Sequence, residues 1–186
     1  MIYTIGIDTL LPQIEFAQCD IQDVVNYCKD KKILSVDTET EGLDFTCKKM
    51  IMFQIGDENN QFIIDTRNIS IEPLREILES QNIIKIFHNA KFDYKFIKKW
   101  SDITCEGIYD TFLVELVISC GKNLGYALKD LCKRYLNVDL NKNIRNQFIG
   151  LTGQPFKSDQ IIYGAKDVEY LCKIKELQQP IIDKYK

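Results

Sequence analysis

Histidine occurs once in this chain, at position 88, and no two of its seven cysteines form a C-x-x-C pair. Cys19, Cys28, Cys47, Cys105, Cys120, Cys132 and Cys172 are odd in number and widely spaced, which argues against both a zinc site and a disulfide framework. They are expected to be mostly small core residues. No apolar stretch approaches the roughly 20 residues that a membrane span needs, and the opening M-I-Y-T-I-G-I is not a secretory signal. A cytoplasmic protein is expected, in the host cytoplasm if virus-encoded; its richness in Lys, Asn and Ile suits an A·T-rich genome, viral or bacterial. Excess positive charge is also missing. With a formal net charge of −3, the molecule as a whole does not attract nucleic acid, so such a substrate would have to be held by local basic groups and metal ions.

Repeats, low-complexity tracts and linkers rich in Gly, Ser or Pro are absent, and the four prolines are scattered. At 186 residues, 45% hydrophobic and 27% charged, the chain reads as one globular domain spanning 1–186. Helical spacing of Ile21, Val24, Val25 and Cys28 after Asp20 predicts a helix to Lys29. Three strand-like runs follow, Ile33 to Thr38, Met50 to Ile55 and Phe62 to Asp65, the last two joined as a hairpin. A short helix starts at Glu72-Pro73, Ile83 to Phe87 reads as a buried strand, and Ala90 to Trp100 as a helix. Asp110 to Ser119 and Gly125 to Leu136 read as helical, 137–157 as irregular, and Ser158 to Gln179 as one long helix stopped by Pro180. The expected architecture is α/β, a mixed sheet with helices packed on it.

Within this pattern, acidic residues intrude where apolar ones belong. Asp37 and Glu39 end the run Ile33-Leu34-Ser35-Val36, and residues i and i+2 of a strand face the same way. Two carboxylates held together repel, and a divalent cation between them reverses that cost. On the helix from Ala90, a turn of about 100° per residue places Asp93 with Phe96, Ile97 and Trp100, opposite Lys91, Lys95, Lys98 and Lys99, which read as a solvated face. On the last helix Asp167 shares an apolar stripe with Tyr163, Tyr170, Leu171, Ile174 and Leu177. A buried carboxylate demands a cation, donors or a cleft. Four carboxylates without a Cys or His cluster suit a hard cation such as Mg²⁺ or Mn²⁺.

Read in order, V-D-T-E-T around Asp37 and Glu39, H-N-A-K-F-D ending at Asp93, and Y-G-A-K-D from Tyr163 to Asp167 resemble the three exonuclease motifs of the DEDD superfamily. The match is to its tyrosine-containing branch, which includes the proofreading domain of family A DNA polymerases and the RNase D-like exonucleases. The resemblance implies a ribonuclease H-like mixed sheet flanked by helices, and removal of nucleotides from a 3′ end with two divalent metal ions, Mg²⁺ or Mn²⁺. By position, Asp37, Glu39, Asp93 and Asp167 correspond to the metal ligands and Tyr163 to the residue orienting the attacking water. With a phenol pKa of about 10, Tyr163 would position the water without taking its proton. Leu43 matches a position packing on the terminal base, and Asn89 one holding the strand. Thr38 is a further candidate substrate contact. Lys142 and Arg145 fall in a segment similar to a basic stretch of RNase D-like relatives, and Phe148 is expected to help hold frayed bases. Asp110-Thr111 resembles a fold-supporting landmark, with Asp110 not a ligand, and His88 reads as structural.

The expected substrate is the single-stranded or frayed 3′ end of DNA, processed by a stand-alone enzyme working beside a separately encoded polymerase. An RNase D-like enzyme acting on RNA is the alternative. A silent module that binds nucleic acid or clamps a polymerase is disfavoured, because every motif carboxylate is present.

Overall fold

The computed structural model describes residues 1–7, 16–140 and 144–184. Among the described residues, seven strands form one mixed sheet: β1 (Ile2–Ile5), β2 (Phe16–Gln18), β3 (Ile33–Thr40), β4 (Met50–Gly56), β5 (Gln61–Asp65), β6 (Ile84–Phe87) and β7 (Ile108–Asp110), in the order β2-β1-β5-β4-β3-β6-β7. The β3–β4 and β4–β5 pairs are antiparallel, as the hairpin signal predicts, and the remaining pairs are parallel. β3, β6 and β7 therefore run the same way, and their C-terminal ends share one edge of the sheet.

Alternation along β3 sends Leu34, Val36 and Thr38 to one face and Ser35, Asp37 and Glu39 to the other. The first face carries α1 (Ile21–Cys28), α2 (Arg75–Leu78) and α3 (Ala90–Ser101), whose Val24, Cys28, Leu78, Phe96 and Ile97 form a core with Leu34, Val36, Phe53 and Ile55. Asp20 and Asp23 make reciprocal side-chain bonds that start α1. The second face is covered by α6 (Ser158–Glu169), which lies over β3, β4 and β5, and by α7 (Leu171–Asp183), which lies over β3 and β6. There Ile51, Met52, Ile63, Phe148, Ile161 and Tyr163 form a second core, and Ile86, Leu131, Cys132, Leu171 and Ile174 a third. No helix among the described residues is long and apolar enough to cross a membrane.

Four departures from the sequence reading have physical causes. The last helix is two, broken at Tyr170, because α6 and α7 track different strands of a twisted sheet. Pro180 does not end α7, which runs on to Asp183; Pro180 and Glu176 are exposed, so the carbonyl deprived of its N–H donor meets water. The segment from Gly125 begins its helix only at α5 (Leu128–Leu131) and continues as a π-wound turn, Cys132–Leu136. That turn brings Arg134 and Tyr135 within 2.7 Å of Glu115 in α4 (Thr111–Ile118), and Gln178 of α7 also donates to Glu115 at 2.9 Å. Glu115 is thus a buried acid fully occupied by structural partners. Trp100, assigned to the buried stripe of α3, is 41% exposed; at the end of the helix it passes the sheet and donates to the Lys48 carbonyl.

Candidate active site

Asp37 and Glu39 lie on the α6 side of β3, and one turn of α6 separates Tyr163 from Asp167. Carboxylate oxygens of Asp37, Glu39 and Asp167 all lie within 4.8 Å of one another. Three like charges at that spacing repel strongly in a partly buried site, and such an oxygen set suits a hard divalent cation. Asp93 stands beside this cluster, not inside it. It enters from the first turn of α3, on the opposite face of the sheet, and the Thr38 hydroxyl donates to its Oδ1 at 2.6 Å. Burial lifts the Asp93 carboxyl well above the usual carboxylate range, with the Thr38 bond opposing the shift.

Tyr163 is buried against the same group. Burial is the main cause that raises its phenol above the ordinary range, followed by the charges of Asp167, Glu39 and Asp37. The hydroxyl is therefore a neutral donor at any physiological pH.

These residues line one cleft of about 770 Å³, together with Thr38, Leu43, Asn89 and Arg145. Thr38 is buried and its side chain serves Asp93, so any direct contact with substrate falls to its backbone. Leu43 is 74% exposed at the cleft wall. Phe148 corrects the expectation: only 1% exposed, it packs on Phe156 and on the Tyr163 ring at centroid distances of 6.3 and 6.0 Å. Its neighbour Ile149, 61% exposed, is the side chain on the cleft. The short 3-10 turn Arg145–Phe148 swings Phe148 inward and Ile149 outward, and Gly150 N donates to Glu41 O at 3.0 Å, tying this loop to that of Leu43. Lys142 lies outside the described residues.

Asp110 serves the backbone. Its Oδ1 accepts from the N–H groups of Asn89 and Phe112, each at 3.0 Å, and its Oδ2 from that of Ala90 at 2.9 Å, so one carboxylate caps both α3 and α4. Asn89 sits in the left-handed region at φ 69°, which Asn tolerates better than most residues, and this turn puts its side chain on the cleft. The His88 Nδ1 is 2.9 Å from the Thr111 hydroxyl, consistent with a structural role.

Two residues beneath the site were missed in the sequence. Gln54 is the cross-strand partner of Asp37, fully buried, and its amide atoms have no hydrogen-bond partner among the described residues. α6 crosses it at Gly164, where a Cβ would lie 2.8 Å from Gln54 Nε2. The available signals were a glutamine inside the otherwise apolar run Met50 to Ile55 and a glycine in the middle of a helix.

A model of the 3′-5′ exonuclease family matches residues 13–182. Ribonuclease D of Sphingobium indicum is 26% identical over 144 residues, 76% of this chain and 36% of that protein. DNA polymerase I of Aquifex aeolicus is 26% identical over 155 residues, 83% of this chain and 25% of that protein. The chain thus spans about a third of the length of the first of these relatives and a quarter of the second. Among solved structures, Brucella melitensis NrnC bound to pGG superposes with a TM-score of 0.78 at 20% identity, covering 99% of this chain and 82% of that one, and shares the fold. The motif order, the sheet and the family match converge: this chain belongs to the 3′-5′ exonuclease family and has its DEDD-type fold.

Proposed function

We propose that this enzyme removes nucleotides one at a time from the 3′ end of single-stranded RNA, releasing nucleoside 5′-monophosphates. The observation carrying this reading is the convergence of Asp37, Glu39 and Asp167 beside Asp93 and Tyr163 in one cleft. The choice of RNA over the DNA 3′ end expected from the motifs rests on the relatives, among which ribonuclease D recurs. DNA remains the second reading, favoured by the similarity to DNA polymerase I. A polymerase partner is no part of the proposal.

Asp37, Glu39, Asp93 and Asp167 would hold two divalent cations. When bound, the ions supply a more acidic water and stabilise charge on the departing 3′ oxygen. Tyr163, held neutral, donates a hydrogen bond that orients the water. Leu43 and Ile149 pack on the terminal base without reading its identity. Arg145 and Asn89 line the cleft and would meet the strand's phosphates and sugars.

The test is a time course on matched 5′-labelled single-stranded RNA and DNA with Mg²⁺, Mn²⁺ or EDTA, beside Asp167→Ala. The expected result is a ladder shortening from the 3′ end, faster on RNA, abolished by EDTA and by the substitution. Undiminished cleavage in EDTA would sink the metal assignment, a ladder from the 5′ end the polarity, and faster cleavage of DNA the choice of RNA.

A further inference from the structure

The cleft extends beyond the parts assigned above. β3, β6 and β7 are neighbours and parallel, and the cleft crosses their C-terminal ends, from Asp37 and Glu39 past His88 and Asn89 to Phe112. Strands lie about 4.8 Å apart, so the β7 end is roughly 10 Å from the β3 end.

At that far end stands an aromatic wall. The Phe112 ring meets His88 edge to face at 6.0 Å and 83°, and Tyr126 at 6.2 Å and 82°. All three are half-buried and line the cleft, yet none belongs to the three hydrophobic cores. The wall is braced at both ends. His88 bonds to Thr111, whose hydroxyl donates to Phe87 O at 3.1 Å, while the Tyr126 hydroxyl bonds to Ser119 Oγ at 2.9 Å and to the Lys122 carbonyl. Lys129, exposed in the first turn of α5, lies on the same rim. Rigid aromatic faces beside a cation are the ordinary means of holding a single strand without reading its sequence.

We propose that Phe112 and Tyr126 form a second base-stacking station, which takes a base upstream of the terminal nucleotide and makes the enzyme favour strands long enough to reach it. This rests on the exonuclease reading above and adds a length preference to it. Leu43 and Ile149 grip the end being cut, and the wall grips the strand some 10 Å behind it, two strand spacings away. A dinucleotide leaves the wall largely unused, whereas a tetranucleotide or longer strand covers it.

The experiment compares the parent with Phe112→Ala, Tyr126→Ala and Tyr126→Phe, each checked for folding by circular dichroism, on 5′-labelled RNAs of two, four and ten nucleotides. The alanine variants should raise KM for the longer strands about tenfold, with kcat little changed and the dinucleotide KM moved less than twofold, and Tyr126→Phe should retain most of the parent's affinity. Binding of 5′-fluorescent tetranucleotide to Asp167→Ala, with and without Tyr126→Ala, reads the same preference without turnover and should weaken by a similar factor. An equal loss on all lengths, or no loss on any, overturns the inference while leaving the exonuclease reading intact. A parent that cleaves neither RNA nor DNA overturns that reading instead, and the binding measurement still decides the station.

Discussion

Thr38 and Asp93 belong to adjacent layers, one on the central strand β3 and the other on α3, and a 2.6 Å hydrogen bond from hydroxyl to carboxylate joins them at the cleft. Thr38 stands between Asp37 and Glu39, so this bond sets where the fourth carboxylate lies relative to the other three. Thr38→Val should keep the fold and cost about 1–3 kcal/mol, because a buried carboxylate loses a donor. It should also raise the Mg²⁺ concentration that activity needs about 10- to 100-fold, as loss of a ligand's supporting bond does. A Mg²⁺ titration of activity checks this, and a midpoint equal to the parent's would show that the bond does not position Asp93.

Tyr163→Phe removes one hydroxyl and leaves the ring packed on Phe148. A fall in kcat of about 10- to 1,000-fold is expected if the hydroxyl orients the water, with stability and KM close to the parent's. Because the phenol lies above its ordinary range, the surviving activity should keep the parent's pH–rate profile between pH 6 and 9. A profile that loses an ionisation in that window would show Tyr163 acting as a base.

Asp110→Ala strips two helix N-termini of one shared cap. The expected cost is about 1–4 kcal/mol, two caps at their usual worth, together with a raised KM as the left-handed turn at Asn89 loosens. Urea denaturation measures the first effect; a loss below about 0.5 kcal/mol would mean the bonds are replaced by water.

Lys85 offers a pH test away from the site. It is fully buried on β6, donates to the carbonyls of Ile83 and Ser80, and burial lowers its pKa from 10.5 to about 8. Between about pH 8 and 10.5 the unfolded chain binds more protons at this residue than the folded one, so stability should rise with pH across that window. Below it Lys85 is charged in both states and adds no slope. Denaturation of the parent and of Lys85→Met at several pH values isolates the contribution as a difference between the two. A difference independent of pH would mean that the two carbonyls hold the ammonium as well as water does.

Much of the site was legible because its chemistry conflicts with its surroundings. A D-x-E closing an apolar strand and an aspartate on each of two apolar helix faces are costly unless something compensates. The resemblance of H-N-A-K-F-D and Y-G-A-K-D to DEDD motifs then grouped them as one candidate site. What stayed hidden is what local pattern does not encode. β1, β2 and β7 have only four, three and three residues, too few for a period to emerge, and they exist because neighbouring strands supply their hydrogen bonds. Phe148 and Ile149 are adjacent apolar residues in an irregular segment, and only the packing of that turn decides which faces the cleft.

The sequence alone determined the ingredients: four acidic side chains and a tyrosine at helix and strand spacing, and no Cys or His cluster, a set that suits a hard cation. It also determined the alternation that puts Asp37 and Glu39 on one side of β3. Only the tertiary structure decided that Asp167 joins those two within 4.8 Å while Asp93 is held alongside by Thr38. It likewise decided that Phe112 and Tyr126 meet to form one wall of the cleft. Sequence periodicity fixes the direction of a side chain relative to its own element, whereas distances between residues far apart in the chain follow from how helices and sheet pack.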